Sequence, residues 1–207
     1  MKRVAFFGDK EPTGELPGVL ETERAVMHGS TAWLELRDTI VTASDMAAIM
    51  GRNPYKSRED VLKDKLTGAR SVMTDKMAAG LKWEPAILGA FQSLTGFPTV
   101  GSQELLLSAR LPGLGATCDG FCRETKDRIA LVEAKNLSRG LLDGPPDYYV
   151  VQVLTQLFVT GLDTGYLMAR FGKNGCRIWK LEQDPSFVTQ MTEATSSFLA
   201  ELQETAL

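Results

Sequence analysis

Hydrophobic and polar positions change period several times along this chain of 207 residues, and each change marks an element. Residues 1–30 keep no period and carry several Gly, Pro and charged positions, which predicts an irregular N-terminal arm. Helical patterns follow. Thr42 or Ser44 can cap a helix that runs to Met50 and that Gly51 stops. Ser57-x-x-Asp60 is an acidic form of the capping box and opens a helix to Leu66, with Gly68 as its C-cap. A longer helical pattern covers 74–94 and ends at Gly96; Pro85 should kink or split it.

The period then shortens to two. Strands are predicted near 99–107, 115–119 and 128–134. Residues 147–160 read as a buried helix, and strands return near 166–171 and 175–181. Asp184-Pro185 opens a last amphipathic helix over 185–207, with Phe187, Met191, Phe198, Leu199 and Leu202 on one side, a face for core packing or for an oligomer contact. Helices first, then a β-meander with one helix inserted, predict an α+β or mixed α/β fold in a single domain covering 1–207.

Composition narrows the chemistry mainly through what is scarce. Hydrophobic content of 43% and charged content of 24% suit an ordinary globular protein with a full core. No apolar run reaches membrane-span length and the N-terminus lacks a signal-peptide core, so the expected location is cytoplasmic, with no membrane partner. The three cysteines, Cys118, Cys122 and Cys176, form no zinc spacing, and an odd number argues against a disulfide framework. The lone histidine, His28, lies in a polar segment and reads as exposed. Ser-His-Asp hydrolysis and histidine-rich zinc sites would all have to rest on it. A metal here must be held largely by oxygen ligands, which points to magnesium or manganese.

The net charge of −3 argues at first against a nucleic-acid partner. Its distribution changes that picture. Residues 181–207 hold five acids and no base, which leaves residues 1–180 with 23 basic and 21 acidic residues, a net +2. Arg170, Lys173, Arg177 and Lys180 form one run without an intervening acid, and Arg52, Lys56 and Arg58 form another. Such patches can track phosphates, or can be solvated surface.

The densest candidate chemistry is GATCDGFCRETKDRIALVEAKN, residues 115–136. Asp119 closes one short extended run, and Glu133 and Lys135 close the apolar run Ile129-Ala130-Leu131-Val132. If the two runs pair as neighbouring strands, two carboxylates and an ammonium converge at one sheet edge. Two acids sharing a hard divalent cation, beside a lysine that orients water, suit phosphodiester hydrolysis. The acid-x-Lys triplet alone is weak evidence, since 26 acids and 11 lysines supply roughly one by chance. A second copy, Glu124-Thr125-Lys126, lies in a polar segment and reads as a solvated hairpin tip. The first copy ends a β-branched run with both side chains on one face.

Further motifs surround this one in a fixed order: Trp33-x3-Arg37, Ile40-Val41-Thr42-Ala43-Ser44-Asp45, Gly51-x-Asn53-Pro54-Tyr55, Gly80-x3-Glu84, Tyr149-x2-Gln152 and Val159-Thr160-Gly161. Together they resemble the lambda exonuclease family, also described as YqaJ-like phage recombinases, over roughly residues 33–171. The resemblance implies the PD-(D/E)xK nuclease fold, a central mixed β-sheet flanked by helices. It implies that Asp119 bridges two magnesium ions, with manganese able to substitute. Glu133 and the main-chain carbonyl of Ala134 would bind one of them, Glu84 would add a ligand directly or through water, Lys135 would hold the attacking water, and Gln152 would stand close by. It implies that Arg37, Ser44 and Thr117 bind the terminal 5′-phosphate of the digested strand, where an arginine fork and hydroxyls near a helix start make a sound pocket.

The implied activity is 5′-to-3′ digestion of double-stranded DNA ends to mononucleotides by a ring-shaped homotrimer working beside a single-strand annealing protein. Cys118 stands at the proline position of the family pattern, and neither the N-terminal arm nor the C-terminal helix matches a family motif. Trp33 and Tyr149 read as packing residues. An endonuclease on the same fold, or a non-catalytic DNA-binding subunit, remains as an alternative; the phosphate pocket speaks against the first, and the intact acids and lysine against the second.

Overall fold

The computed structural model describes residues 2–6, 14–21, 26–68, 75–137 and 143–206. The N-terminal segment is not wholly irregular. Its described parts form a small antiparallel pair, β1 (Lys2–Val4) with β2 (Gly14–Leu16). Phe6, Leu16 and Val19 anchor this pair in the main core, so burial rather than local propensity orders it. Gly18 then lies against the end of a core helix. Its amide donates to the Thr160 carbonyl at 2.9 Å, and a Cβ at Gly18 would sit 2.6 Å from the Val159 carbonyl oxygen.

A helix that the apolar pattern does not announce comes next, α1 (Thr31–Thr39), with Ser30 accepting from the Trp33 amide. It leads through β3 (Val41–Thr42) into α2 (Ala43–Ile49). Thr42, not Ser44, is the N-cap of α2, and Asp45 completes its capping box. The Ser57–Asp60 capping box opens α3 (Arg58–Thr67), and Gly68 ends it in the left-handed conformation. Next is α4 (Asp75–Thr95), which continues through Pro85 rather than splitting. Pro85 and Leu81 both lie on the exposed side, where water can satisfy the carbonyl that proline leaves without a donor. The expected helix start at residue 74 falls outside the described residues.

Two predicted strands divide differently. The run over 99–107 becomes β4 (Thr99–Gly101) and β5 (Leu105–Leu107), which join different sheets. The run over 115–119 becomes β6 (Leu114–Thr117), which pairs with β3 and β5 and not with the Glu133 strand. A missed strand, β7 (Gly120–Thr125), takes that neighbour's place against β8 (Arg128–Asn136). The chain changes sheets at Cys118-Asp119. A Cβ at Gly120 would lie 2.7 Å from the Val100 carbonyl oxygen, so only glycine lets β4 close over the start of β7.

The remaining elements are α5 (Asp147–Thr160), β9 (Thr164–Arg170), β10 (Cys176–Glu182) and α6 (Pro185–Thr205). The main sheet has the order β10-β9-β8-β7-β4, with β8 and β9 parallel across α5 and the other pairs antiparallel. This mixed sheet is covered on both faces. Ile87, Leu88 and Phe91 of α4 meet Cys122, Ala130, Val132 and Met168 on one side. Val153 and Leu157 of α5 join Phe121, Leu131 and Leu167 in the core on the other. Buried Phe187, Met191, Phe198 and Leu202 make the apolar face of α6 part of that same core. Among the described residues no helix is long and apolar enough to cross a membrane.

Candidate active site

Strand β8 builds the centre of the site. Its alternation sends Ala130, Val132 and Ala134 toward α4, and Leu131, Glu133 and Lys135 toward α5. Glu133 is 1% exposed, which an isolated carboxylate could not sustain. Its Oε1 accepts from Lys135 Nζ at 2.5 Å and from Gln152 Nε2 at 2.6 Å, and its Oε2 accepts from Gln156 Nε2 at 2.7 Å. Gln156 also donates to the Thr117 carbonyl at 3.0 Å. Because both of its partners are acceptors, the amide nitrogen must face them, and the amide oxygen finds no partner among the described residues.

Asp119 reaches this centre from the break between β6 and β7. Its Oδ2 accepts from the Ala134 amide at 2.8 Å. Since β7 begins at Gly120 opposite Val132, no β7 residue covers Ala134. Its carbonyl leaves the strand on the same side as its amide, toward Asp119. Glu84 approaches from α4 and accepts from Gln103 Nε2 at 2.8 Å.

These charges crowd one another. Burial, then the Glu133 carboxylate, push the Asp119 carboxyl well above its ordinary value, and Glu84 adds to the effect. Burial and Glu133 likewise raise Glu84. Burial alone would lower Lys135, but Glu133 and Asp119 outweigh it and hold the ammonium above the usual lysine range. One cation thus faces three acids, and the surplus negative charge suits a hard divalent ion. Among the described residues no three His, Cys, Asp or Glu side chains stand close enough to enclose an ion. The groups that could hold such an ion are Asp119, Glu133 and the Ala134 carbonyl, an open set, with the Glu84 carboxylate adding its charge to the same cluster.

A second cluster joins α1, α2 and β6. Arg37 Nη2 donates to Ser44 Oγ at 3.3 Å, and the Ser44 and Thr42 hydroxyls are 3.0 Å apart. Buried Trp33 ties this pair to Thr117. Its indole nitrogen donates to Thr117 Oγ1 at 3.4 Å, and the Arg37 guanidinium lies 4.4 Å from its ring centroid. Ser44 is exposed, so the cradle opens to solvent. Thr117 stands two residues before Asp119 and places the cradle beside the acidic cluster.

The profile of a known family, the YqaJ-like viral recombinase domain, matches residues 32–163. The chain belongs to that family. The matched span contains every residue of the acidic cluster and of the cradle; β9, β10 and α6 lie beyond it. Solved structures agree on the fold. An alkaline exonuclease from Laribacter hongkongensis aligns with a TM-score of 0.67 at 22% identity, over 86% of this chain and 94% of that one, and its complex with dAMP aligns at 0.68. A phage-related exonuclease from Haemophilus somnus aligns at 0.64 with 11% identity, over 80% of this chain and 94% of that one. A curated relative, an uncharacterised protein of Acanthamoeba polyphaga mimivirus, is 31% identical over 150 residues, 65% of this chain. The aligned part is 27% of that larger protein. The mixed α+β architecture is thus the alkaline exonuclease fold.

The structure changes several sequence readings. Glu124 does not sit at a solvated tip. Its side chain is 6% exposed, accepts from Tyr166 and pairs with Arg128 at 2.6 Å, while the turn falls at residues 126–127. The basic run at Arg52, Lys56 and Arg58 is opposed in space by Asp147, Asp64 and Glu201. In the other run, Arg170 lies over Trp83 and bonds Asn136, and Lys180 pairs with Glu182. His28 is exposed, as expected, and its ring rests on Trp33. Cys118 and Cys122 are buried. Gln156 is the member of the centre that sequence reasoning missed. Its signal was present: it follows Gln152 by four residues, on one face of a largely apolar helix. Trp33 and Tyr149 are not only packing, because Trp33 ties the cradle together and the Tyr149 ring centroid lies 5.0 Å from Lys135 Nζ.

Proposed function

We propose that this chain is a metal-dependent DNA nuclease of the lambda exonuclease type, digesting duplex ends in the 5′-to-3′ direction. The observation that carries the reading is the buried Glu133 carboxylate, bonded by Lys135 on its own strand and by Gln152 and Gln156 of α5, with Asp119 bound to the next main-chain amide. The aligned proteins of Laribacter hongkongensis and Haemophilus somnus are exonucleases, which supports the same reaction class. Asp119, Glu133 and the Ala134 carbonyl would hold magnesium, with Glu84 joining through water. Magnesium held there would supply Lewis acidity at the phosphate and help orient the attacking water.

The chain's own groups do the rest. Lys135 Nζ, fixed by Glu133, directs a donor at the attacking water and at the charge that develops on the phosphate oxygens. Gln152 and Gln156 hold the Glu133 side chain in place through both of its oxygens. Arg37, Ser44 and Thr117 grip a terminal 5′-phosphate, which makes cleavage depend on an end and favours release of mononucleotides. The 3′ strand left behind would pass to a single-strand annealing protein, and a homotrimeric ring would keep the enzyme on its substrate.

The test is digestion of linear duplex DNA in magnesium, with 5′-phosphorylated, 5′-hydroxyl and covalently closed circular substrates compared. Mononucleotides from phosphorylated ends with circles spared is the expected result. Cutting of circles would replace the exonuclease with an endonuclease. No cutting with magnesium or manganese would leave a DNA-binding subunit.

A further inference from the structure

Neither the acidic cluster nor the phosphate cradle uses Tyr55, whose ring is 73% exposed, more than any other large apolar or aromatic side chain among the described residues. The ring is nonetheless held. The Tyr55 amide donates to the Asn53 side chain at 2.9 Å across Pro54. Arg52 grips Asp147 at the start of α5, Nε to Oδ2 at 2.7 Å, which fastens the loop to that helix. The Tyr55 ring meets Tyr148 edge-on, with centroids 5.7 Å apart and planes at 86°. Tyr148 touches Tyr149 at 4.2 Å, and Tyr149 carries the Lys135 ammonium 5.0 Å from its centroid. Three rings therefore run in contact from Lys135 to solvent. Tyr55 is also among the residues that line a surface cavity of about 680 Å³, with Met50, Lys56 and Ser57.

An aromatic ring that forgoes burial yet is immobilised has already lost the freedom that stacking would otherwise cost. Inside a duplex the base faces are covered by their neighbours, whereas an unpaired strand offers a face at every nucleotide, whatever its sequence. We propose that Tyr55 and Tyr148 form a stacking platform for unpaired bases of the DNA strand that crosses the acidic site. This subsite is separate from the phosphate cradle, and it rests on the nuclease reading above. Stacking there offsets the base pairing lost when a duplex end opens.

The test uses 5′-phosphorylated single strands carrying 2-aminopurine at each of the first few positions in turn, without divalent metal, so that nothing is cleaved. The wild-type protein is expected to quench the fluorescence at one or two positions. Tyr55→Ala should lose that quenching and bind about tenfold more weakly, with an unchanged melting temperature because the ring is exposed. Tyr55→Phe should retain both properties. Replacing the quenched nucleotide by an abasic one should erase the difference between wild type and Tyr55→Ala. Absence of quenching by the wild type, unchanged quenching by Tyr55→Ala, or a binding loss that persists on the abasic strand would each overturn the platform. Failure of the nuclease reading would show separately, as wild-type protein that digests no linear duplex in magnesium.

Discussion

The Lys65 ammonium donates to the main-chain carbonyl of Arg37 at 2.7 Å. The same ammonium lies 3.0 Å from the Asp45 carboxylate. Asp45 accepts from the Thr42 hydroxyl at 2.6 Å and amide at 3.2 Å, Thr42 meets Ser44, and Ser44 meets the Arg37 guanidinium. The contacts close on themselves, so α3 locks the end of α1 to the start of α2 from beneath the cradle. Side-chain exposures of 6% for Lys65 and 11% for Asp45 keep the pair out of bulk water.

Breaking the pair from one side strands a buried carboxylate. Lys65→Met should therefore cost about 3 kcal/mol of stability, read from urea unfolding. It should also blunt the preference for 5′-phosphorylated over 5′-hydroxyl ends, because Arg37 loses its backbone anchor. Arg37→Ala should remove that preference with much less loss of stability, since its side chain is only partly buried. A Lys65→Met protein that keeps the full preference would show that the ring supports the fold alone.

The same pair makes stability sensitive to acid. Burial would raise the Asp45 carboxyl, but Lys65 first, then Arg37 and Thr42, carry it below its ordinary value of 3.8. A carboxyl depressed in the folded state adds stability above its unfolded pKa and loses it as pH falls through the folded one. The loss attributable to Asp45 should thus begin near pH 4 and deepen below it. Urea midpoints across this range should fall less steeply for Asp45→Asn than for the wild type; parallel curves would remove Asp45 from the acid transition.

What the chain disclosed in advance was local. Ser57 with Asp60, and Gly68, mark the ends of α3 because caps act within one turn. The run ending in Glu133 and Lys135 reads as a strand because its neighbours are β-branched and apolar. Two glutamines on apolar α5 were equally visible, yet only Gln152 was picked out. The break at Cys118-Asp119 was not legible, since Gly115 to Thr125 is as extended before the break as after it. Only the partners of β6 and β7 in different sheets reveal it. Nor was the N-terminal pair, whose strands of three residues have no stability of their own and depend on Phe6 and Leu16 finding the core. Helix α1 lacks an apolar stripe and is held by the Ser30 cap and buried Trp33. Long-range contacts such as Gln156 to the Thr117 carbonyl leave no trace in spacing.

Gln156 gives a prediction that separates support from chemistry. Leucine at this position would fill similar space but leave Glu133 Oε2 and the Thr117 carbonyl without their donor. Gln156→Leu should cost about 2 kcal/mol and depress cleavage, because the carboxylate is no longer fixed. Gln152→Ala, at a partly exposed position, should cost less stability while still slowing cleavage. Equal unfolding free energies for Gln156→Leu and wild type would mean that the Gln156 bonds contribute nothing net.

Asp119 is expected to trade stability for metal binding. Burial and the nearby Glu133 carboxylate make its charged form unfavourable, and a carboxyl raised in this way removes stability as pH climbs through its folded pKa. Asp119→Asn removes the charge and keeps an oxygen for the Ala134 amide. The metal-free variant should therefore melt higher than wild type at neutral pH, by about 2–4 °C, and the gap should narrow as pH falls and wild-type Asp119 protonates. Magnesium should raise the melting temperature of the wild type by linkage and leave the variant unmoved. A metal-free Asp119→Asn protein that melts lower than wild type would make this aspartate a structural group, and an undiminished magnesium shift in the variant would take the ion away from it.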